Sequence, residues 1–252
     1  MNIRELLKRY LGRGGQEKPV AQGRSLDIPQ QQAQDQGTPE LVRHRQVIPK
    51  LTHYRHLVIQ GFVGEPTGAE LELIEQELGT SLPDDFVKYL RVANGGSTEY
   101  AARVPPPDGE WIGMSSLFST RPDKYGKYSY ETFLGEIFTA RETQGIPTEV
   151  LPFARDGGGC GFFLDLTSEG QGRVVVFRSG LPSWTGRPSE DAFIPVAASF
   201  LEFIDSLSIE PGYAAGILED ALASQDEQEI AAVKEILDSG FPGWREILGK
   251  DV

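Results

Sequence analysis

The sequence has only one cysteine, Cys160, so no internal disulfide can form. A reducing compartment, the cytoplasm, is the expectation. Nor is there an apolar run of about 18 residues, so no membrane-spanning helix is expected. The N-terminal stretch MNIRELLKRYLGRGG is not expected to be a secretory signal. It places Arg4, Glu5, Lys8 and Arg9 where such a signal would need uninterrupted apolar residues. Histidine is scarce, with His44, His53 and His56 all lying before residue 60. GxSxG, HExxH, CxxC and the P-loop are absent, which removes the enzyme classes that carry those motifs. The spacing in HYRH would put His53 and His56 on one helix face. A zinc site needs further ligands, however, and the cysteine is far away in sequence. The expectation is therefore a non-catalytic chain with no metal and no cofactor. An enzymatic alternative stays open only through pairs among the carboxylates of residues 61–252.

Basic residues are also few where the globular part begins. Residues 1–60 carry ten Lys/Arg and five Asp/Glu, net +5, whereas residues 61–252 carry fourteen and thirty-two, net −18. Phosphate binding depends on Lys and Arg, so nucleic acid is not an expected partner of the acidic part. A basic protein is one, because opposite charge speeds the encounter. The plainer alternative is that the acid only keeps the protein soluble.

What is present organises into segments. Ile3, Leu6, Leu7, Tyr10 and Leu11 could share one side of a helix of under three turns, too short to be stable alone. Residues 12–39, rich in Gln, Gly and Pro, have little to bury, so residues 1–39 are expected to be a disordered leader. Residues 40–64 mix apolar and charged residues without a clean period and suggest a short strand or helix docked on the main domain. Hydrophobic content of 39% with 10% aromatics is enough for a sizeable core.

The main domain is expected over 65–208. A helix spans Gly68 to Leu78, with Leu71, Ile74 and Leu78 on its apolar face, Glu70, Glu72, Glu75 and Glu77 on a solvated one, and Gly79 as its left-handed cap. In LGTSLPDDFVKYLRVANGG, Pro83 suits the first position of a second helix, and Asp84 and Asp85 complement its dipole. Phe86, Leu90 and Ala93 form a buried stripe, and Asn94-Gly95-Gly96 stops the helix. A phosphate loop would place its glycines before a helix, whereas these follow one.

Beyond Gly96 short alternating runs predict strands at EYAARV and WIGMSSLFS. Phe133, Leu134, Ile137 and Phe138 mark a helix between Tyr130 and Gln144. GFFLDL and RVVVFRS predict a hairpin joined by TSEGQG. DGGGCG resembles an anion cradle, but a strand follows it, which favours a turn. IPVAASFLEFIDSL is expected to be a helix burying Phe200, Phe203, Ile204 and Leu207. In the tail, 209–252, YAAGILEDALAS and EQEIAAVKEILDSGF predict two more helices, the second stopped by Gly240.

The order of these pieces resembles the SUKH superfamily, whose signature runs helix, Leu-Gly-x-x-Leu-Pro, acidic-aromatic pair, apolar helix, Asn-Gly-Gly. Here it is IEQELGTSLPDDFVKYLRVANGG at 74–96. WIG at 111–113, LPFARDGGGCGFFLDL at 151–166, VVVF at 174–177 and FIPVAASFLEFIDSL at 193–207 follow in the family's order. The resemblance covers about 65–208 and excludes the leader and the helical tail. It implies an α+β fold, a single domain with an antiparallel sheet and flanking helices. It also implies a non-catalytic role as an immunity protein that binds a cognate toxin in the cytoplasm. A regulatory adaptor without a toxin is the alternative. The resemblance transfers no catalytic residues.

If the partner is a basic toxin, its anchors should be exposed aromatics ringed by carboxylates. Two loops offer these: Asp108, Glu110 and Trp111, and Trp184 with Glu190 and Asp191. Trp111 heads a strand, a place where a tryptophan is more often core. Trp184 lies between Pro182 and Gly186 in a loop.

Overall fold

The computed structural model describes residues 50–105, 109–121, 131–180, 184 and 190–249. The expected leader, 1–39, and His44 lie outside the described residues. Among the described residues ten strands form, β1 Leu51–Tyr54, β2 Leu57–Gln60, β3 Gly96–Ser97, β4 Ala101–Arg103, β5 Trp111–Gly113, β6 Ser116–Leu117, β7 Val150–Arg155, β8 Gly161–Asp165, β9 Arg173–Arg178 and β10 Ala192–Ala197. Eight of them build one sheet in the order β1-β2-β3-β6-β7-β8-β9-β10, and β4 pairs with β5. Every ladder is antiparallel. Seven helices accompany the strands among the described residues. They are α1 Gly68–Leu78, α2 Asp84–Leu90, α3 Phe133–Gln144, α4 Phe200–Ser206, α5 Pro211–Ser224, α6 Glu227–Gly240 and α7 Trp244–Leu248. The fold is α+β, as expected.

The alternation of β8 and β9 sorts two cores. Phe162, Leu164, Val174 and Val176 join the main cluster, while Phe163 and Phe177 meet Ala140 and Ile146 in a smaller one. In the main core Phe86 of α2 packs on Phe200 of α4 at 4.9 Å, and Phe153 of β7 on Phe203 at 5.7 Å. Offset and edge-on ring pairs at this spacing add to the area they bury.

The predicted glycine cap of α1 holds, and a capping box that the sequence reading did not single out opens the helix. Thr67 and Glu70 form a reciprocal capping box, and Gly79 ends the helix at φ 67°. Its glutamates are more than a solvated face. Glu70 caps, Glu75 accepts from the Leu82 N–H at 2.8 Å, and Glu77 pairs with Arg141 at 3.6 Å. Pro83 sits one position earlier than expected, as the N-cap of α2 with extended ψ 142°. The helix then stops at Leu90, short of Asn94. Asn94 is fully buried. It donates to the Gly64 carbonyl and the Thr120 hydroxyl, each at 2.9 Å, and accepts from the Thr120 N–H at 2.8 Å. Gly96 enters β3 at φ 98°, where a Cβ would stand 2.2 Å from the Gln60 carbonyl oxygen. The Asn-Gly-Gly triplet therefore stitches loops and strands together as well as following a helix.

Two further expectations change. Residues 192–197 form strand β10 instead of the start of a helix, because they ladder onto β9 with Phe193 opposite Phe177. Pro195, at a register break on this outer strand, needs no ladder donor. Only Phe200–Ser206 is helical, although Phe200, Phe203, Ile204 and Leu207 are buried as expected. Phe138 points outward on α3, 57% exposed, while Ala140 takes a buried place. The second tail helix ends at Gly240 as expected, and a Cβ there would meet Ile209 and Tyr100 at 2.7 Å.

Part of segment 40–64 takes the strand option: β1 and β2 are a hairpin at one side of the main sheet. His53 lies on β1 and His56 in the turn, not on a helix face. His53 ties the hairpin to Glu235 of α6 in the tail, and His56 ties it to the Leu207 carbonyl at the end of α4, each at 2.8 Å.

Candidate functional site

Three connections meet at one end of the sheet. The β7–β8 turn is shaped by Asp156, whose Oδ1 accepts the Gly158 and Cys160 N–H groups at 2.6 and 2.8 Å. Gly157 and Gly159 take φ 76° and 107°, which a side chain rarely tolerates. The glycine cluster thus forms a cradle filled by the chain's own carboxylate, and two of the amides an external anion would need already serve Asp156. The expected turn is what the structure shows.

The β9–β10 connection begins beside this turn, since a Cβ on Gly159 would come within 3.3 Å of Ser179 Cβ. Its two ends are pinned together by the Gly180 N–H donating to Asp191 Oδ1 at 2.7 Å. Between them Trp184 is 85% exposed, a large apolar area left in water. Glu190 and Asp191 are exposed as well.

The β4–β5 hairpin supplies the third part. Arg103 faces Trp111 across the ladder, and its guanidinium lies 5.9 Å from the ring centroid. This leaves Trp111 half-buried on a surface hairpin. Neighbouring Glu110 reaches Arg178 of β9, Oε2 to Nη1 at 3.1 Å, and Arg178 pairs across the sheet with Ala192, next to Asp191. Asp108 lies outside the described residues. The two loops singled out in the sequence, with Glu110 and Asp191 81 positions apart, are therefore joined through Arg178.

Sequence patterns missed the joint. Arg103, Arg178 and Asp156 have no motif around them, and only the fold brings β4, β7 and β9 to one end. The Asp-Gly-Gly-Gly order was a usable signal for Asp156, since an aspartate ahead of glycines often hydrogen-bonds the backbone two residues on. Burial pushes the Cys160 thiol up to about 11, with Asp156 and Glu110 adding and a Ser179 backbone contact opposing. It is a poor nucleophile at neutral pH.

Chemically this end offers carboxylates at Glu110, Asp156, Glu190 and Asp191, two arginines that are each already engaged, and an open indole. Among the described residues no group of three or more His, Cys, Asp or Glu is placed to hold a metal. Two open grooves, of about 630 and 550 Å³, lie elsewhere and include none of these residues. No helix among the described residues is long and apolar enough to cross a membrane.

A comparison with curated proteins returns no match. The family described as SMI1 / KNR4 family (SUKH-1) matches residues 65–206, more than half of the chain, from just ahead of α1 through the last residue of α4. The chain belongs to the SMI1 / KNR4 family (SUKH-1).

Proposed function

We propose that the protein is a non-catalytic binding domain, an immunity protein that holds a cognate bacterial toxin in the cytoplasm and neutralises it. Family membership suggests protein partners. The observation that carries the reading is an 85% exposed tryptophan, Trp184, on a loop pinned at Asp191, in a region of net −18 over residues 61–252. A toxin acting on nucleic acid has a Lys/Arg-lined site, and an acidic face fits such a site as phosphate does. In this reading Trp184 is the anchor, Glu190, Asp191, Glu110 and Asp108 steer the approach, and Trp111 borders the contact.

The test begins with affinity capture from the native cell and identification of the partner by mass spectrometry. Surface-plasmon kinetics at low and high salt follow. The association rate should fall as salt rises, with dissociation changing less. Trp184→Ala should weaken binding by about 2 kcal/mol. Cells lacking this protein should be killed by the captured partner, and cells that have it should survive. Equal survival removes the immunity role, and capture of several unrelated non-toxic proteins favours the adaptor.

A further inference from the structure

We infer that the groove between β1, α6 and α7 binds an oxyanion, a carboxylate or a phosphate, held between Lys234 and Arg245. The groove is built from residues outside the stretch matched by the family. The inference goes beyond the partner-binding reading and stands apart from it.

The argument starts at Trp244. Its ring is buried, and the Arg245 guanidinium lies 4.4 Å from the ring centroid, within reach of the negative potential of the indole face. Asp238 completes the unit. It accepts the indole N–H at 2.7 Å and takes Nη1 of Arg245 on one carboxylate oxygen and Nη2 on the other. Ring and carboxylate together fix the guanidinium in orientation, yet the Arg245 side chain is 45% exposed. A grip through the two terminal nitrogens leaves the side edge of the fork open. The Nε–H and the outward Nη2–H have no partner among the described residues. Two parallel donors on one rigid plane match a carboxylate or a phosphate.

Lys234 supplies the second cation. It stands four positions before Asp238, so the two share a face of α6. Hydrogen bonds from Arg245 and Trp244, with the charge of Lys234 adding, hold the Asp238 carboxyl below its usual range against the opposing effect of burial. Lys50 and Lys88 are exposed, whereas Lys234 is half-buried and makes no ion pair among the described residues. An ammonium that has given up part of its hydration without a counter-charge gains from an oxyanion beside it. A cation has no such counterpart here, since Asp238 already accepts three hydrogen bonds and Glu235 is engaged by His53 at 2.8 Å. The opening, about 630 Å³, admits a small ligand or one side chain of a larger one. The net −18 of residues 61–252 opposes an anion at long range, so binding rests on the direct contacts and is weak.

The test uses the full chain labelled with 15N, at a constant ionic strength of about 0.15 M set with sodium chloride. The Arg245 Nε–H signal, identified by its loss in Arg245→Lys, reports on the open edge of the fork. Inorganic phosphate and succinate are titrated in place of chloride. The signal should move along a saturating curve while the other arginine Nε–H signals stay in place. A response to phosphate alone assigns phosphoryl groups, one to succinate alone assigns carboxylates, and one to both assigns oxyanions at large. Lys234→Gln should weaken binding about two- to fivefold with the backbone amide signals outside the groove unchanged. Lys88→Gln, on an exposed position of α2, should leave the curve as it is. No movement, movement that never saturates, equal movement of all the arginine signals, or an unchanged curve in Lys234→Gln would overturn the inference. Neither the captured partner nor Trp184 enters this experiment, so its failure and the failure of the immunity reading are told apart.

Discussion

Tyr89 and Asn94, five positions apart, show the two ways a polar side chain is buried here. Asn94 spends both ends of its amide on Gly64 and Thr120. Tyr89 is 2% exposed, and its hydroxyl has no hydrogen-bond partner among the described residues. Its ring packs on Phe200 at 5.0 Å, Tyr54 at 5.3 Å and Phe86 at 5.9 Å. Burial, with Tyr54 adding, drives its pKa far above the usual range for a phenol, so it stays neutral. An unmet buried hydroxyl costs about 1–3 kcal/mol. Tyr89→Phe keeps the ring and removes the cost, and should raise stability by about 1 kcal/mol in urea unfolding. A loss of stability would mean that the hydroxyl is satisfied after all. Neither case is legible in the sequence. Tyr89 fell among the residues between two stripe positions, and Asn94 resembled a stop signal because Asn before Gly is common in turns.

At the scale of elements, local chemistry was legible where it acts within a few residues. The left-handed Gly79 and the β8–β9 hairpin follow from spacing alone, whereas the capping box at Thr67 emerges only in the fold. Phe193–Ala197 reads as helix in the sequence because its apolar residues run into those of α4 without a breaker. Its strand character comes from β9, distant in sequence. Glycine makes the same distinction measurable. Gly79 and Gly96 both have positive φ, 67° and 98°, but a Cβ at Gly79 meets nothing within 4 Å while one at Gly96 strikes the Gln60 carbonyl oxygen at 2.2 Å. Gly79→Ala should cost about 1 kcal/mol, from backbone strain alone. Gly96→Ala should cost about 2–4 kcal/mol, since β2 must move away from β3 as well. Thermal unfolding of the two variants side by side checks this. Equal losses would show that the sheet yields freely at that crossing.

For the whole molecule, what the sequence concealed is that the pieces outside the family match close the core. The match covers 65–206, yet β1 and β2 precede it and α5–α7 follow it. Periodicity revealed the tail helices but not the surfaces they meet, which are set by single close contacts. Ile209 N–H donates to the Gly240 carbonyl at 2.9 Å, and Ser208 exchanges backbone hydrogen bonds with Ala101 at 2.8 and 3.2 Å. The His56 carbonyl accepts from both the Tyr100 hydroxyl and the Ser239 hydroxyl, so hairpin, central strand region and α6 share one acceptor. Leu57, Val58 and Ile59 of β2, Tyr100, Ile209, Leu218, Leu237 and Trp244 are all buried in this assembly. Cutting at the family boundaries would strip the hairpin and the tail and leave Tyr100, which contacts His56 and Gly240, facing water. Each large apolar side chain so exposed forfeits about 1.5–3 kcal/mol, against a total stability of about 5–15 kcal/mol for a domain. A fragment of residues 65–206 should therefore fail to unfold cooperatively. A fragment of residues 48–252, one compact unit, should melt close to the full chain. Circular dichroism melts of the three proteins decide it. A 65–206 fragment that melts sharply at the full-length temperature would make the hairpin and the tail additions to a finished domain.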